Sequence, residues 1–249
     1  MFREAVLEFR RFIRYFPASA IAPQAQHLVI TCLENLAVHD LAVREAEAFA
    51  RRYPQSPLLD DALFAAVRCE FARGSYDRVL ELGGEILSKE YPGDDGKLAP
   101  SPFREPVTLF LAKAHHIRGE YREAVDLYRK VADKFEDARD SLAHFTQESL
   151  AAPEIVALVP GERSELAVRA KNVKEVDLKV YRVDLPMLFA TRKDLKAVAS
   201  VDLTGIEPVK TWKAPLADPG DYREHETKIA LPVSEKGAYL VVGRAGAHE

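Results

Sequence analysis

Apolar residues recur at steps of three and four through the first 150 residues, with polar residues between them. In the first segment Phe2, Phe9 and Phe16 fall on one stripe of a helix that ends before Pro17. The same spacing predicts helices at residues 2–16, 22–37, 42–53, 58–73, 76–87, 105–118 and 121–135. Taken in pairs, these helices repeat about every 34 to 40 residues, which is typical of a helical-hairpin solenoid.

Glycine residues lie where the chain must turn between helices, and alanine lies where two helices must approach each other closely. Gly74 and Gly119 are predicted to form sharp turns between helices, because glycine adopts left-handed backbone angles without strain. The motif Gly119-x-Tyr121-x-x-Ala124-x-x-x-Tyr128 resembles the second half of a tetratricopeptide repeat. The resemblance implies a tetratricopeptide-like solenoid over residues 1–148.

Two predicted helix ends share a further motif, an aromatic residue followed by proline and then by serine two residues later. It is found as Phe16-Pro17-x-Ser19 and Tyr53-Pro54-x-Ser56, and it resembles the longer repeats of bacterial envelope proteins. Val79 departs from the family pattern, which usually has a small residue there. Residues 92–106 depart too, because their four prolines and two glycines predict a loop.

The first predicted helix has a full apolar stripe but no helix before it to cover that stripe. It has the pattern of the second helix of a hairpin. We therefore expect the chain to be an internal piece of a longer protein, or a partner chain to pack there. The remaining alternative is a native start with a helix that needs no cover.

From about residue 154 the hydrophobic period changes. Val176, Leu178 and Val180 alternate with Asp177 and Lys179, as in a strand with one buried face. Strands are predicted at residues 154–159, 164–170, 174–184, 227–231 and 238–243, with a helical or irregular segment at 185–203. Strands without long helices between them favour an antiparallel β-sandwich, so the fold class is α + β multidomain.

Several short segments of this half resemble a macroglobulin-type β-sandwich of the bacterial α2-macroglobulin family. They are Pro160-Gly161-Glu162, Asn172-Val173, the run from Leu178 to Leu185, Leu231-Pro232 and the run from Gly237 to Val242. The resemblance implies a macroglobulin-like domain at residues 154–249, joined through a linker at 149–153. It also implies an extracytoplasmic location, in the periplasm or at the cell surface, and a large parent protein that traps proteases or guards the envelope.

Composition excludes some classes of function. The chain has 35 Lys and Arg against 39 Asp and Glu, a formal charge of -4, so no basic excess favours general binding to nucleic acid. The apolar runs are far shorter than the roughly 20 residues of a membrane-spanning helix. Two cysteines cannot form a disulfide framework and leave the redox compartment open.

Candidate chemistry is sparse. His115 and His116 are adjacent and point about 100° apart on a helix, without a third metal ligand at the right spacing. The segment Cys32-Leu33-Glu34-Asn35 is similar to a thioester motif but has asparagine where glutamine is needed. The segment from Tyr222 to Glu226, which includes His225, lacks the spacing of a zinc site. We therefore predict no catalytic activity, no cofactor and no metal site.

The predicted function is protein–protein interaction, through a peptide or domain bound on the solenoid. Arg10, Arg14, Arg51 and Arg52 are the candidate partner-binding residues, as the lining of a groove for an acidic peptide; the alternative is that they are solvated outer faces. An assembly scaffold of the outer-membrane or peptidoglycan machinery is the second hypothesis. A hydrolase is the third, with His225 beside Glu224 and Glu226.

Overall fold

The computed structural model describes residues 1–157, 164–184 and 206–245. Within these ranges the chain has eight helices and eight short strands, which confirms the predicted α + β class. The helices are α1 (Phe2–Tyr15), α2 (Ala22–Asn35), α3 (His39–Arg52), α4 (Leu59–Ala72), α5 (Tyr76–Ser88), α6 (Arg104–Ile117), α7 (Tyr121–Val131) and α8 (Glu136–Thr146). The strands are β1 (Glu90–Pro92), β2 (Leu98–Pro100), β3 (Ser149–Ala151), β4 (Glu165–Lys171), β5 (Glu175–Val183), β6 (Lys210–Pro215), β7 (His225–Ala230) and β8 (Ala238–Arg244).

The chain divides into two compact units, Met1–Phe145 and Thr146–Glu249. We call them the helical unit and the strand unit. From α1 to α7, each helix contacts the next one along the chain. In addition α2 contacts α4, and α4 contacts α6, so these three helices form a continuous row that we call the central row. Phe49, Val67 and Ile86 are fully buried in the largest cluster of this unit.

The turn after each helix of the central row has the same backbone geometry. Ala37, Gly74 and Gly119 lie at equivalent positions with φ of 55°, 76° and 76°. In each turn the next residue's N–H donates to a carbonyl five residues back at 2.9 Å; the pairs are Val38 to Leu33, Ser75 to Glu70 and Glu120 to His115. This is the Schellman end of a helix, so the turns predicted at the two glycines are confirmed.

Serine has a defined role before each helix of the central row. Its Oγ accepts a hydrogen bond from the N–H two residues later; the pairs are Ser19 with Ile21, Ser56 with Leu58 and Ser101 with Phe103. The serine thereby orders the turn that leads into the next helix. This hydrogen bond explains why a serine follows the aromatic residue and the proline of the motif. Ser101 makes the same hydrogen bond, although no aromatic residue and proline precede it at the spacing of the motif.

Two parts of the helical unit differ from the prediction. Residues 92–106 are not a simple loop, because β1 and β2 pair as an antiparallel hairpin, with Glu90 opposite Pro100. Helix α8 was not predicted. Only Ala138 and Phe145 of α8 are buried, so its sequence carries too weak an apolar stripe to mark a helix.

Among its described residues, the strand unit contains two antiparallel sheets of three strands, in the orders β3-β4-β7 and β6-β5-β8. Val168 of one sheet and Val176 and Leu178 of the other belong to one buried cluster. Within β5 the side chains alternate between buried and exposed from Glu175 to Val180, as the sequence predicts.

Several strand and linker bounds in the strand unit differ between the sequence prediction and the structure. Residues 149–151, assigned to a linker, form β3 and pair with β4, because Leu150 packs against the cluster. Strand β6 was missed, since its run from Lys210 to Pro215 carries two lysines and ends in proline. Residues 154–157 form no strand. The predicted segment 185–203, residues 158–159 and Pro160-Gly161-Glu162 lie outside the described residues.

The left-handed turn at Ala37 leads to a first prediction. Replacing Ala37 with glycine should raise the free energy of unfolding by about 1 kcal/mol, because glycine avoids the clash that an L side chain makes at positive φ. The reverse change, Gly74→Ala, should lower the free energy of unfolding by about 1 kcal/mol, because an L side chain is strained at positive φ. An added Cβ would meet only the Tyr76 hydroxyl, at 4.0 Å, so a clash with neighbouring residues does not add to this strain. Urea denaturation measures both, and equal effects of the same sign would contradict the assignment of the turns.

Two adjacent glycines in α5 give a second prediction. A Cβ at Gly83 would lie 2.6 Å from Leu111 Cδ2 and 3.2 Å from Val107 Cγ1, whereas a Cβ at Gly84 meets nothing within 4 Å. We expect Gly83→Ala to destabilise the chain by about 1 to 2 kcal/mol through overpacking, and Gly84→Ala to stabilise it by about 0.5 to 1 kcal/mol through helix propensity. Thermal melts compare the two; a stabilising Gly83→Ala would show that α5 and α6 are less tightly packed.

Candidate interaction surface

The helices of the central row present partly exposed and exposed side chains on one face, and the Glu34–Arg68 pair crosses this face from α2 to α4. We call this surface the central face. Its members on α2, α4 and α6 are His27, Glu34, Asp61, Arg68, Lys113 and Ile117. Because each of the three helices touches the next, the face is continuous over all of them.

An ion pair with two hydrogen bonds joins α2 to α4 on the central face. Arg68 donates from Nε to Glu34 Oε1 at 2.6 Å and from Nη2 to Glu34 Oε2 at 2.8 Å. Its guanidinium lies 4.5 Å from the centre of the Phe64 ring. The hydrogen bond with Glu34 raises the pKa of Arg68. The fork geometry and the ring hold this arginine in one place, where its charge is matched by that of Glu34 and the pair joins α2 to α4.

Asp61 is a half-buried carboxylate beside this pair. Burial raises its pKa, while His27 and Arg68 act in the opposite direction. Its charge belongs to no ion pair among the described residues. The central face therefore combines a satisfied ion pair with one carboxylate that a ligand cation or donor can reach.

A shallow cavity of about 370 Å³ lies where α8 meets the central row. Its lining residues are Phe71, Lys113, His116, Ile117, Tyr128, Asp137, Asp140 and Ser141. Lys113 Nζ lies 2.7 Å from Asp137 Oδ2, so those two charges are paired. Phe71, Ile117 and Tyr128 give the cavity an apolar part, and Asp140 gives it a further carboxylate. An apolar base with a few polar groups is typical of a pocket that accepts a side chain of a partner.

His116 forms the inner side of this cavity. Its Nδ1 lies 3.3 Å from the Tyr128 hydroxyl, and its ring makes an edge contact with Phe145 at 4.7 Å between centres. Burial lowers the pKa of His116, and nearby His144 lowers it further. The imidazole is thus held neutral among aromatic rings, where it helps to pack α8 against α6 and α7.

The four arginines predicted to bind a partner lie on α1 and α3, and the central row contains none of them. Arg14 and Arg51 are exposed, and neither has an ion pair with another described residue. The structure therefore does not bring the four together with the central face.

The other two arginines belong to a hydrogen-bond network inside the helical unit. Arg10 Nη2 lies 2.7 Å from Glu45 Oε1, and Gln26 Nε2 donates to the Glu45 carboxylate at 3.3 Å. Arg52 Nη1 donates to Gln26 Oε1 at 3.4 Å. Gln26 is only 2% exposed, so these bonds satisfy a buried amide. Arg10 and Arg52 already have partners that hold α1, α2 and α3 together.

The remaining titratable candidates have local partners. His115 Nδ1 lies 2.6 Å from Glu120 Oε2, so His115 and His116 turn to different neighbours, as their adjacency predicts. His225 Nε2 lies 2.8 Å from Asp221 Oδ1 in the strand unit. Asn35 Nδ2 donates to the carbonyl of Thr31.

Both cysteines are free and buried. Cys32 and Cys69 belong to one apolar cluster with Val29 and Ala42. Burial raises the pKa of Cys69 to about 11, so its thiol stays protonated and unreactive at neutral pH.

No protein-family model matches the chain, and no curated protein matches its sequence. Of residues 1–157, 164–184 and 206–245, none forms a helix with the length and hydropathy needed to cross a bilayer. The same residues contain no group of three His, Cys, Asp or Glu side chains placed to hold a metal ion.

The sequence did not point to Asp61, Arg68, Lys113 or Asp140. The sequence carried no local signal for the ion pair, because Glu34 lies one residue before the end of α2 and Arg68 lies four residues before the end of α4, so the two are not at equivalent positions. The pocket had no such signal either, since it depends on α8, which was not predicted.

The neutral His116 leads to a third prediction. The unfolded chain takes up a proton on this histidine near pH 6.5, about the ordinary value, whereas the folded chain resists it. Its contribution to stability is therefore complete above that pH and declines as the pH falls through about 6.5 toward the lower folded pKa. We expect the melting temperature to fall between about pH 7 and about pH 5 by circular dichroism.

His116→Phe, which retains the aromatic contacts, is the matched variant. It should lose part of that pH dependence, because phenylalanine takes up no proton. An identical pH profile for the variant and the parent chain would assign the decline to other groups.

Proposed function

We propose that the chain is a non-catalytic protein–protein interaction module whose central face binds a peptide segment of a partner. The observation that carries the proposal is the continuous row of α2, α4 and α6, with a cavity at its α8 end. Accessible carboxylates at Asp61 and Asp140, beside the satisfied Arg68–Glu34 pair, favour a peptide that carries basic groups. Binding by shape and side-chain chemistry requires no catalytic step.

The proposal includes two structural assignments. The helical unit is taken as a tetratricopeptide-like solenoid, which the identical turns at Ala37, Gly74 and Gly119 support. The strand unit is taken as a macroglobulin-like β-sandwich, which the shared cluster of the two sheets supports. With these assignments, the parent would be an extracytoplasmic α2-macroglobulin-like protein that traps proteases or guards the bacterial envelope. An envelope assembly scaffold is the alternative, and the domains that surround these residues in the parent protein would distinguish the two.

The test is selection of peptides from a displayed random library, followed by fluorescence anisotropy with one selected synthetic peptide. The variant Ile117→Ser with Asp140→Lys changes two exposed residues of the cavity. We expect it to weaken binding by at least about tenfold, because it removes an apolar contact and reverses a charge.

Arg14→Glu with Arg51→Glu is the matched control, since both arginines are exposed and lie outside the central row. We expect it to change the affinity by less than about twofold. The opposite ranking of the two variants would assign binding to the arginines of α1 and α3. Failure to select any peptide would contradict the proposed function.

A further inference from the structure

The polar residues that line the cavity beside α8 have partners, except for Asp140. The other polar side chains of the lining pair with each other; the pairs are Lys113 with Asp137, His116 with Tyr128, and Ser141 with Tyr128. Asp140 is exposed and forms no hydrogen bond or ion pair with another residue of the described ranges. Because the His116 imidazole is neutral, the side chains that line the cavity leave one negative charge unmatched.

The cavity also has an apolar part that is incompletely covered. Ile117 of α6 is 53% exposed, and Phe71 of α4 is partly exposed. An apolar side chain and an unpaired carboxylate, Asp140, therefore line the same space. An occupant that suits both must combine an apolar segment with a positive charge. Lysine and arginine have this form, because each carries a charged group at the end of an apolar stem.

Other kinds of side chain suit the cavity less well. An acidic side chain would lie near Asp140, and Lys113, the cation of the lining, is already paired with Asp137. A purely apolar side chain would remove Asp140 from water without giving it a partner, which costs free energy. The volume of the cavity is about 370 Å³, near the lower end of the range of about 300 to 1,000 Å³ for small-molecule pockets, so it suits one long side chain.

We propose that this cavity binds the side chain of one arginine of the partner peptide, with its apolar stem on Ile117 and Phe71 and its guanidinium on Asp140. This inference specifies the ligand of the proposed interaction module, and it rests on that proposed function. The arginine supplies the positive charge that the lining lacks. It also covers Ile117, which is otherwise left in contact with water.

Arginine suits the site better than lysine for three chemical reasons. Its flat guanidinium donates two hydrogen bonds to one carboxylate, stacks on aromatic rings and is more weakly hydrated than an ammonium group. The central face contains one example of this arrangement within the chain itself. There Arg68 donates twice to Glu34 and lies 4.5 Å from the centre of the Phe64 ring. In the cavity, Asp140 offers the carboxylate and Phe71 the ring.

The test uses the peptides selected from the random library on the whole chain. We expect arginine to be enriched among the selected sequences. In one selected synthetic peptide, each arginine is then replaced in turn by citrulline, which keeps the shape of the side chain but carries no charge. One of these replacements should weaken binding by at least about tenfold in fluorescence anisotropy, because it leaves Asp140 without a cation.

The variant Asp140→Asn assigns that arginine to the cavity. It should bind the parent peptide at least about tenfold more weakly, and the citrulline replacement should then change its affinity by less than about twofold, because the same ion pair is already lost. Asp133→Asn is the matched control, since Asp133 is exposed and does not line the cavity. With this control the citrulline replacement should still weaken binding by at least about tenfold. Circular dichroism confirms that both variants are folded.

Lysine at the same peptide position tests the choice of arginine. It should weaken binding to the parent chain, but by less than citrulline does, because it keeps the charge and loses the second hydrogen bond. A lysine peptide that binds as tightly as the arginine peptide would overturn the assignment to arginine.

The outcomes separate this inference from the proposed function. Selected peptides without enriched arginine, or a peptide that tolerates every citrulline, would overturn the arginine site. An equal effect of citrulline in Asp140→Asn and in the parent chain would overturn it as well. The proposed function would survive these results if Ile117→Ser with Asp140→Lys still weakens binding. Failure to select any peptide would contradict the proposed function, and the arginine site with it.

Discussion

The helical unit depends on mutual burial, because each helix carries an apolar stripe that a single neighbour cannot cover. Helix α4 contacts α2, α3, α5 and α6, and it buries nine residues. In α1, at the end of the stack, only Val6 is buried. The number of buried residues in a helix therefore follows the number of its neighbouring helices, so the centre of the stack is its most stable part.

Turns and ion pairs determine how the helices align once their apolar stripes are buried. Arg73 at the end of α4 pairs with Asp40 of α3, and Arg118 at the end of α6 pairs with Asp77 of α5. Solvent screens exposed pairs of this kind, so they orient neighbouring helices more than they stabilise them. The same use of charge explains Arg10 and Arg52. From the sequence alone, arginines opposite an apolar stripe are expected to be available to a ligand. In the structure, Arg10 and Arg52 instead join one helix of the stack to another.

The sequence predicts those features that arise from local periodicity and backbone chemistry. Seven helices, the turns at Gly74 and Gly119, and the alternation in β5 belong to this group. It did not predict the turn at Ala37, because alanine is rarely left-handed, nor α8, whose few apolar residues are buried against α6 and α7. The pocket beside His116 depends on those contacts between helices. A site of this kind is determined by which helices meet, so no single segment contains its signature.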